Sequence, residues 1–451
     1  MQTNLSYKRG ILFDCLSFSF IEEKQILKAL EKAKGNIDVF LQDKRVLKEI
    51  KYLIDEGIIT TKIKHKIERQ NLAYGGSINL SRECNLNCKY CFASHETKGN
   101  KRSLTELTDF YFNRYVKDGA LGCWLGFNVL GEILLTPKTL KEARRIFNEI
   151  EQGKNLGVEV GIVSNGTVYN DEISEVLVND ISSLQISIDG PKEIHDKLRI
   201  NKGGQETYDS IVKNLDAFRK VKEKVIAFAV LTSIAPQPVV ILKHLVDELE
   251  FKEIRIRPVR GKYDQEFAFN ENNLDKLKEG YSELQQFLLD TVCDGGDLRY
   301  FKAIFNEYDT FGSLIYRVLI QRPVFYACSA GKNFIEMDEF GGIYPCSSMI
   351  GIEQFKLGDI DNGIDKNKED FWWGLHVDHK PICEDCWSRY LCGGSCYFLA
   401  WLNNGDIMKP DVVECELFQH LAELAIELVY KLEKENPEEM EEIVLMAQER
   451  G

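Results

Sequence analysis

Between about residues 76 and 260, short runs of β-branched and aromatic residues alternate with longer stretches whose apolar residues recur every three or four positions. The runs "GSINLS", "CWLGFNV", "VEVGIVS", "LQISI", "KVIAFAVL" and "EIRIRPV" predict six strands. Helices are predicted over Thr105–Lys117, Thr139–Glu151, Thr207–Lys222 and Pro238–Glu250. This alternation describes successive βαβ units around a parallel sheet. The expected fold class is α/β, a partial (β/α)6 TIM-like barrel short of eightfold closure. Chemistry in such folds gathers at the C-terminal ends of the strands. Cys84, Gly131–Glu132, Ser164–Asn165 and Ser187 all follow strand ends.

The flanks have other patterns. In residues 1–75, "SYKRGILFDCLSFSFIEE" suggests a hairpin without a marked tight turn. "KQILKALEKAKG" and "DKRVLKEIKYLIDEG" predict helices, each closed by a glycine suited to a C-cap. This stretch is either a small module of its own or a wrapper packed on the barrel. Residues 76–320 are expected to hold the barrel and a connector helix, "NLDKLKEGYSELQQFLLDTV". A cysteine-rich domain is expected over 321–420 and a helical tail over 421–451, its charged end "EKENPEEMEEIVLMAQER" solvated.

Composition narrows the function. The 451 residues carry a net charge of −14 with Lys and Arg scattered, which argues against a nucleic-acid or anionic-membrane surface. No secretory signal pattern and no membrane-spanning apolar stretch is legible, so a cytoplasmic protein is expected. In that reducing compartment 13 cysteines point to metal rather than a disulfide framework. Three sit at 84–91 and seven between 328 and 415. Cys15, Cys123 and Cys293 stand alone and are expected to be small buried hydrophobes.

The segment "CNLNCKYC", residues 84–91, has a Cys-x3-Cys-x2-Cys spacing that can place three thiolates around three corners of an iron–sulfur cube, which would leave the fourth iron open to a non-protein ligand. It resembles the radical S-adenosylmethionine (radical SAM) signature, Tyr90 included. The resemblance implies that a 4Fe–4S cluster on Cys84, Cys88 and Cys91 binds SAM through its methionine moiety and cleaves it to a 5′-deoxyadenosyl radical. A zinc knuckle is the alternative, with His95 as the available fourth ligand. "NVLGEILL" is similar to the family's Gly-Gly-Glu-Pro segment; Gly131 and Glu132 match, while Leu130 and Ile133 depart from it. The resemblance implies that Glu132 receives the methionine ammonium. "SNGT", with Ser164 and Asn165, and "SIDGPKEIHDKLR" resemble later cofactor-contacting segments. In these, Ser187 would donate to the ribose or carboxylate and Arg199 would pair with the carboxylate.

Downstream, Cys328, Gly341-x4-Cys346, Cys383-x2-Cys386-x5-Cys392-x3-Cys396 and Cys415 resemble the SPASM domain of radical SAM enzymes, which usually holds two auxiliary 4Fe–4S clusters. The resemblance implies three clusters in all. Cys383, Cys386, Cys392 and Cys415 would close the distal auxiliary cluster, and Cys328, Cys346 and Cys396 would supply three ligands of the nearer one. "IQRPVFYAC" has no cysteine ahead of Cys328, so either Cys293 folds back or that cluster keeps an open iron for a substrate thiolate. A zinc ribbon with His376 or His379 nearby would leave Cys328, Cys346 and Cys415 unexplained.

Auxiliary clusters fit a two-electron oxidation of peptide. The expected function is maturation of a ribosomally made peptide by an intramolecular crosslink, a Cys thioether foremost, with a carbon–carbon bond as a variant. By the same resemblance residues 1–75 look like a winged-helix-like module that grips a leader by adding a strand, and an external donor such as flavodoxin or ferredoxin supplies electrons. The alternative enzyme is an anaerobic sulfatase maturase making formylglycine. That family places an Asp after the cysteine matching Cys346, where this chain has Ser347 and Ser348. A non-catalytic iron–sulfur or zinc scaffold is the third reading.

Overall fold

The computed structural model describes residues 4–450 except 10, 23, 34–36, 38–43, 57, 61–73, 94–100, 128–129, 155, 223 and 295–296. Gly35 and Gly57, the expected C-caps, and His95 lie outside the described residues. The chain groups into two compact units. One joins Met1–Ile67, Asn270–Cys328 and Leu375–Gly451; the other joins Glu68–Phe269 and Ser329–Gly374. Among the described residues no helix is long and apolar enough to cross a membrane.

In the first of these units the N-terminal stretch forms an antiparallel sheet of β1 (Leu5–Lys8), β2 (Ile11–Asp14) and β3 (Ser19–Phe20), followed by helices Lys24–Lys32 and Lys44–Asp55. Leu12, Ile26, Leu30 and Ile50 close a small core of their own. The turn after β2 is held by Asp14 Oδ1, which accepts the Leu16 and Ser17 N–H groups at 3.0 and 2.8 Å. Lys8 and Arg9 pair with Glu423 and Glu427 at 3.1 and 2.7 Å, which ties this sheet to helix Val412–Glu435.

Two expectations fail in this unit. Helix Pro437–Arg450 is not solvated all round: Met440, Ile443 and Ala447, spaced three and four apart, are buried on one face. Cys293 is exposed rather than buried, because it ends helix Leu274–Cys293 at the surface. Its Sγ donates to Asn436 Oδ1 at 2.8 Å, beyond the C-terminal end of helix Val412–Glu435. Cys396 sits at the opposite end of that helix, its N–H on Glu414 Oε2 at 2.6 Å. At 1.5 Å per residue the two cysteines are about 30 Å apart. Cys293 therefore does not fold back to join Cys396.

The other unit contains the barrel. β4 (Tyr74–Ile78), β5 (Gly122–Phe127), β6 (Gly157–Ser164), β7 (Ser183–Ser187), β8 (Val225–Leu231) and β9 (Ile254–Pro258) run parallel in that order, matching the six runs read from the sequence. The sheet does not stop at β4. β10 (Phe334–Met337) pairs parallel with it, and β11 (Gly342–Tyr344), β12 (Gly358–Asp359) and β13 (Gly363–Ile364) continue it antiparallel. Helix Leu104–Lys117, started by a Ser103–Glu106 capping box, clamps the β4–β10 seam. Its Tyr111 hydroxyl donates to Ser77 O and Ile335 O at 2.8 and 2.7 Å. A Cβ on Gly76 would stand 1.9 Å from Ile335 O, so only glycine permits this approach.

Inside the sheet the Trp124 ring lies over Gly126 and Gly161 and stacks on Phe334 at 6.2 Å, forming a floor. The register Glu336↔Ser77↔Gly126 puts a buried carboxyl one layer above it. Ser77 Oγ donates to Glu336. Burial pushes the Glu336 pKa up to about 7. A raised carboxyl keeps its proton in the folded state after the unfolded chain has lost it. Its stabilising contribution is thus full below about pH 4.5 and lost as pH rises through 7, by at most about 3 kcal/mol. Glu336→Gln should therefore raise the urea midpoint at pH 8 and leave it nearly unchanged at pH 4.5. An equal shift at both values would refute the assignment.

Candidate functional site

The cysteine loop leaves β4 and is pinned by backbone pairing to the chain that follows helix Lys192–Leu198. Asn87 and Lys89 N–H donate to Ile200 O and Leu198 O at 2.8 and 2.9 Å, and Lys202 N–H donates to Asn85 O at 3.1 Å. Cys91 N–H donates to Cys88 O at 3.0 Å, so the last two cysteines flank a tight turn. Burial raises the thiol pKa of Cys84 and of Cys88, the latter to about 11. None of the three is in a disulfide.

On the Cys84 side, Gly131, Glu132, Ser164 and Asn165 come together. Glu132 N–H donates to Glu83 O at 2.8 Å, and a Cβ on Gly131 would meet that same carbonyl oxygen at 2.7 Å. The buried Glu132 carboxylate accepts the Asn165 N–H at 2.6 Å, the Ser164 hydroxyl at 2.9 Å and the Leu134 N–H at 3.0 Å. Burial raises its pKa and these donors oppose the shift. Asn165 Nδ2 donates to Asn85 Oδ1 at 2.8 Å and lies 4.0 Å from Cys84 Sγ. A continuous polar chain thus links Glu132 to the cysteine loop.

On the Cys88 side stands Asp189, which the sequence reading had not singled out. Fully buried just after β7, it accepts the Tyr90 hydroxyl at 2.5 Å and Arg199 Nε at 3.0 Å on Oδ2, and the Val230 N–H at 3.0 Å on Oδ1. The Arg199 guanidinium lies 5.3 Å over the Tyr90 ring. Arg199, expected to meet a cofactor carboxylate, therefore already has a protein carboxylate on Nε. Asp189 N–H donates to His195 Nδ1 at 3.2 Å, and burial lowers the His195 pKa to about 4, so the imidazole is neutral. Ser187 is buried at the end of β7, two residues before Asp189. The signal for Asp189 was present in "SIDGPK": an acid just past a strand end, ten residues before a buried arginine.

Of the downstream cysteines, Cys383, Cys386, Cys392 and Cys415 lie together in one unit. The Cys415 thiol, raised chiefly by burial, also feels Cys392, Cys383 and Cys386 electrostatically. Among the described residues no three His, Cys, Asp or Glu side chains converge on a single-ion site. Cys328 and Cys396 belong to the same unit, and Cys346 follows β11 in the barrel unit.

Residues 78–236, which hold the cysteine loop, Glu132, Asn165 and Asp189, match the radical SAM superfamily model. The chain carries a radical SAM domain. It is 22% identical over 341 residues to a serine-type anaerobic sulfatase-maturating enzyme of Bacteroides thetaiotaomicron, covering 69% of this chain and 80% of that one. To a cysteine-type enzyme of Clostridium perfringens it is 24% identical over 336 residues, covering 69% and 85%. An uncharacterized protein of Archaeoglobus fulgidus is 25% identical over 382 residues, covering 78% and 81%. Among solved structures, native anSMEcpe with bound AdoMet has a TM-score of 0.65 at 20% identity, covering 80% of this chain and 100% of that one. Streptococcus suis SuiB bound to S-adenosylmethionine has 0.52 at 15%, covering 91% and 98%. At these identities the structural likeness is one of fold.

Proposed function

We propose that the protein is a radical SAM maturase that crosslinks a ribosomally made peptide, joining a Cys sulfur to a carbon. The observation carrying the reading is the pinned loop of three unbridged thiols beside a buried carboxylate. Cys84 and Cys88 are too buried to ionise by themselves near neutral pH, so the donor set suits a metal that supplies positive charge. When bound, the cluster and SAM supply one-electron cleavage of the sulfonium to a 5′-deoxyadenosyl radical. Gly131 lets the backbone before Glu132 lie against the loop. Glu132, with Ser164 and Asn165, forms the polar wall suited to the methionine ammonium. Ser187 and Arg199 face the ribose and carboxylate, with Asp189 fixing the guanidinium. Cys383, Cys386, Cys392 and Cys415 hold an auxiliary cluster, and Cys328, Cys346 and Cys396 remain assigned to a second.

The substrate is a precursor peptide whose leader adds to the β1–β2–β3 sheet, and a flavodoxin or ferredoxin delivers the electrons. The protein works in the cytoplasm. A sulfatase-maturating role is the second reading, favoured by the Bacteroides and Clostridium relatives. Ser347, following Cys346, speaks against it because a hydroxyl does not replace a carboxylate base at neutral pH. The test is anaerobic reconstitution with iron and sulfide, then dithionite and SAM. The reading expects 5′-deoxyadenosine from the loaded protein; none from a fully loaded protein would favour a non-catalytic scaffold.

A further inference from the structure

Beside the grouped cysteines lies a buried cation. Lys380, three residues before Cys383, is fully buried. Its Nζ donates to Gly394 O at 2.6 Å and stands 5.1 Å over the Tyr397 ring. Among the described residues no carboxylate forms an ion pair with it. Glu414, the half-buried carboxyl in its electrostatic reach, has Oε2 held by Ser395 Oγ and Cys396 N–H at 2.7 and 2.6 Å. A buried ammonium facing one carbonyl and one ring is costly unless negative charge stands nearby.

The surroundings place that charge. Gly394 lies in the turn Gly393–Gly394–Ser395, whose three φ angles are 77°, 105° and 65°, and this turn carries the chain from Cys392 to Cys396. A Cβ on Gly393 would stand 2.3 Å from Tyr326 O, so the turn is set against the segment leading to Cys328. Lys380 O accepts the Glu384 N–H at 3.1 Å at the entry to the Cys383 turn. A Cβ on Gly394 would lie 3.7 Å from Lys380 Cδ and 3.9 Å from Cys383 Sγ, so the lysine stem and that thiol face the same turn, and the ring under the ammonium, Tyr397, directly follows Cys396. One ammonium therefore adjoins the ligand segments of both expected auxiliary clusters.

We propose that Lys380 is the resident countercharge of the auxiliary clusters, a positioning residue that raises their reduction potentials. Four thiolates leave a cube with net negative charge, and an added electron makes it more negative, so a fixed buried cation favours the reduced form. In the proposed crosslinking, the 5′-deoxyadenosyl radical takes a hydrogen atom from a substrate carbon. That carbon then bonds to the Cys sulfur, the thiol proton goes to water, and the one electron left over would be taken by a bound auxiliary cluster. Lys380 makes that last transfer easier. The inference rests on the auxiliary-cluster part of the proposed function and not on the identity of the peptide.

The test compares full-length, reconstituted wild type, Lys380→Met and Lys380→Arg by iron content and by potentiometric titration followed by EPR. In the Met variant the auxiliary midpoints should fall by about 59 mV or more, a tenfold shift toward the oxidised form. The Arg variant should stay near wild type, and the SAM-binding cluster should not move in either. Loss of auxiliary iron in the Met variant alone, restored by Arg, would also support a required charge. Unchanged midpoints in an iron-replete Met variant, or equal shifts or equal iron loss in both variants, would overturn this inference alone. A wild type without auxiliary clusters would overturn the underlying reading as well.

Discussion

Replacing Cys84, Cys88 and Cys91 together with Ala abolishes 5′-deoxyadenosine formation and removes one cluster's iron. These thiols are the donors on the loop that follows β4, and Asn165 Nδ2, bonded through its chain to Glu132, lies 4.0 Å from Cys84 Sγ. The loop's backbone bonds to Leu198 and Ile200 use no sulfur, so the barrel should still fold. The cysteine group at 383–415 lies in the other unit and should keep its iron. Chromatography of the nucleoside product beside an iron assay checks both halves. Continued cleavage by the triple variant would remove the loop from the mechanism.

Asp189→Ala should cost about 3–5 kcal/mol of stability and most of the cofactor cleavage, because it leaves the buried Arg199 guanidinium without its carboxylate. Tyr90 and the Val230 N–H lose a partner in the same step. Asp189→Asn preserves shape and one acceptor oxygen, so it should be milder for Val230 and still harmful to Arg199. Urea unfolding of the iron-loaded proteins measures the first effect and product formation the second. A loss under about 1 kcal/mol for the Ala variant would show that Asp189 does not hold this side of the site together.

Much of the barrel was legible because each strand carries its own period and each helix its own apolar stripe. All six parallel runs appear as β4–β9 within three residues of their expected ends. β10–β13 were not foreseen: they are two to four residues long, and β10 joins β4 across more than 250 positions, a pairing no local pattern announces. The cysteine spacings and the Gly131–Glu132, Ser164–Asn165 segments were readable because they are contiguous. Asp189 and Lys380 were not, since each acquires meaning only from burial beside Arg199 or between Gly394 and Tyr397. Cys293 failed for the converse reason: standing alone it read as a small buried hydrophobe, but its sulfur lies at the exposed end of its helix.

The most direct test is the mass of a Cys-containing precursor peptide incubated with the loaded protein, reductant and SAM, before and after iodoacetamide. The account expects a loss of two hydrogens per crosslink, with the sulfur retained and the modified Cys no longer alkylated. An unchanged mass from protein that cleaves SAM, or loss of the sulfur with a new carbonyl, would contradict it.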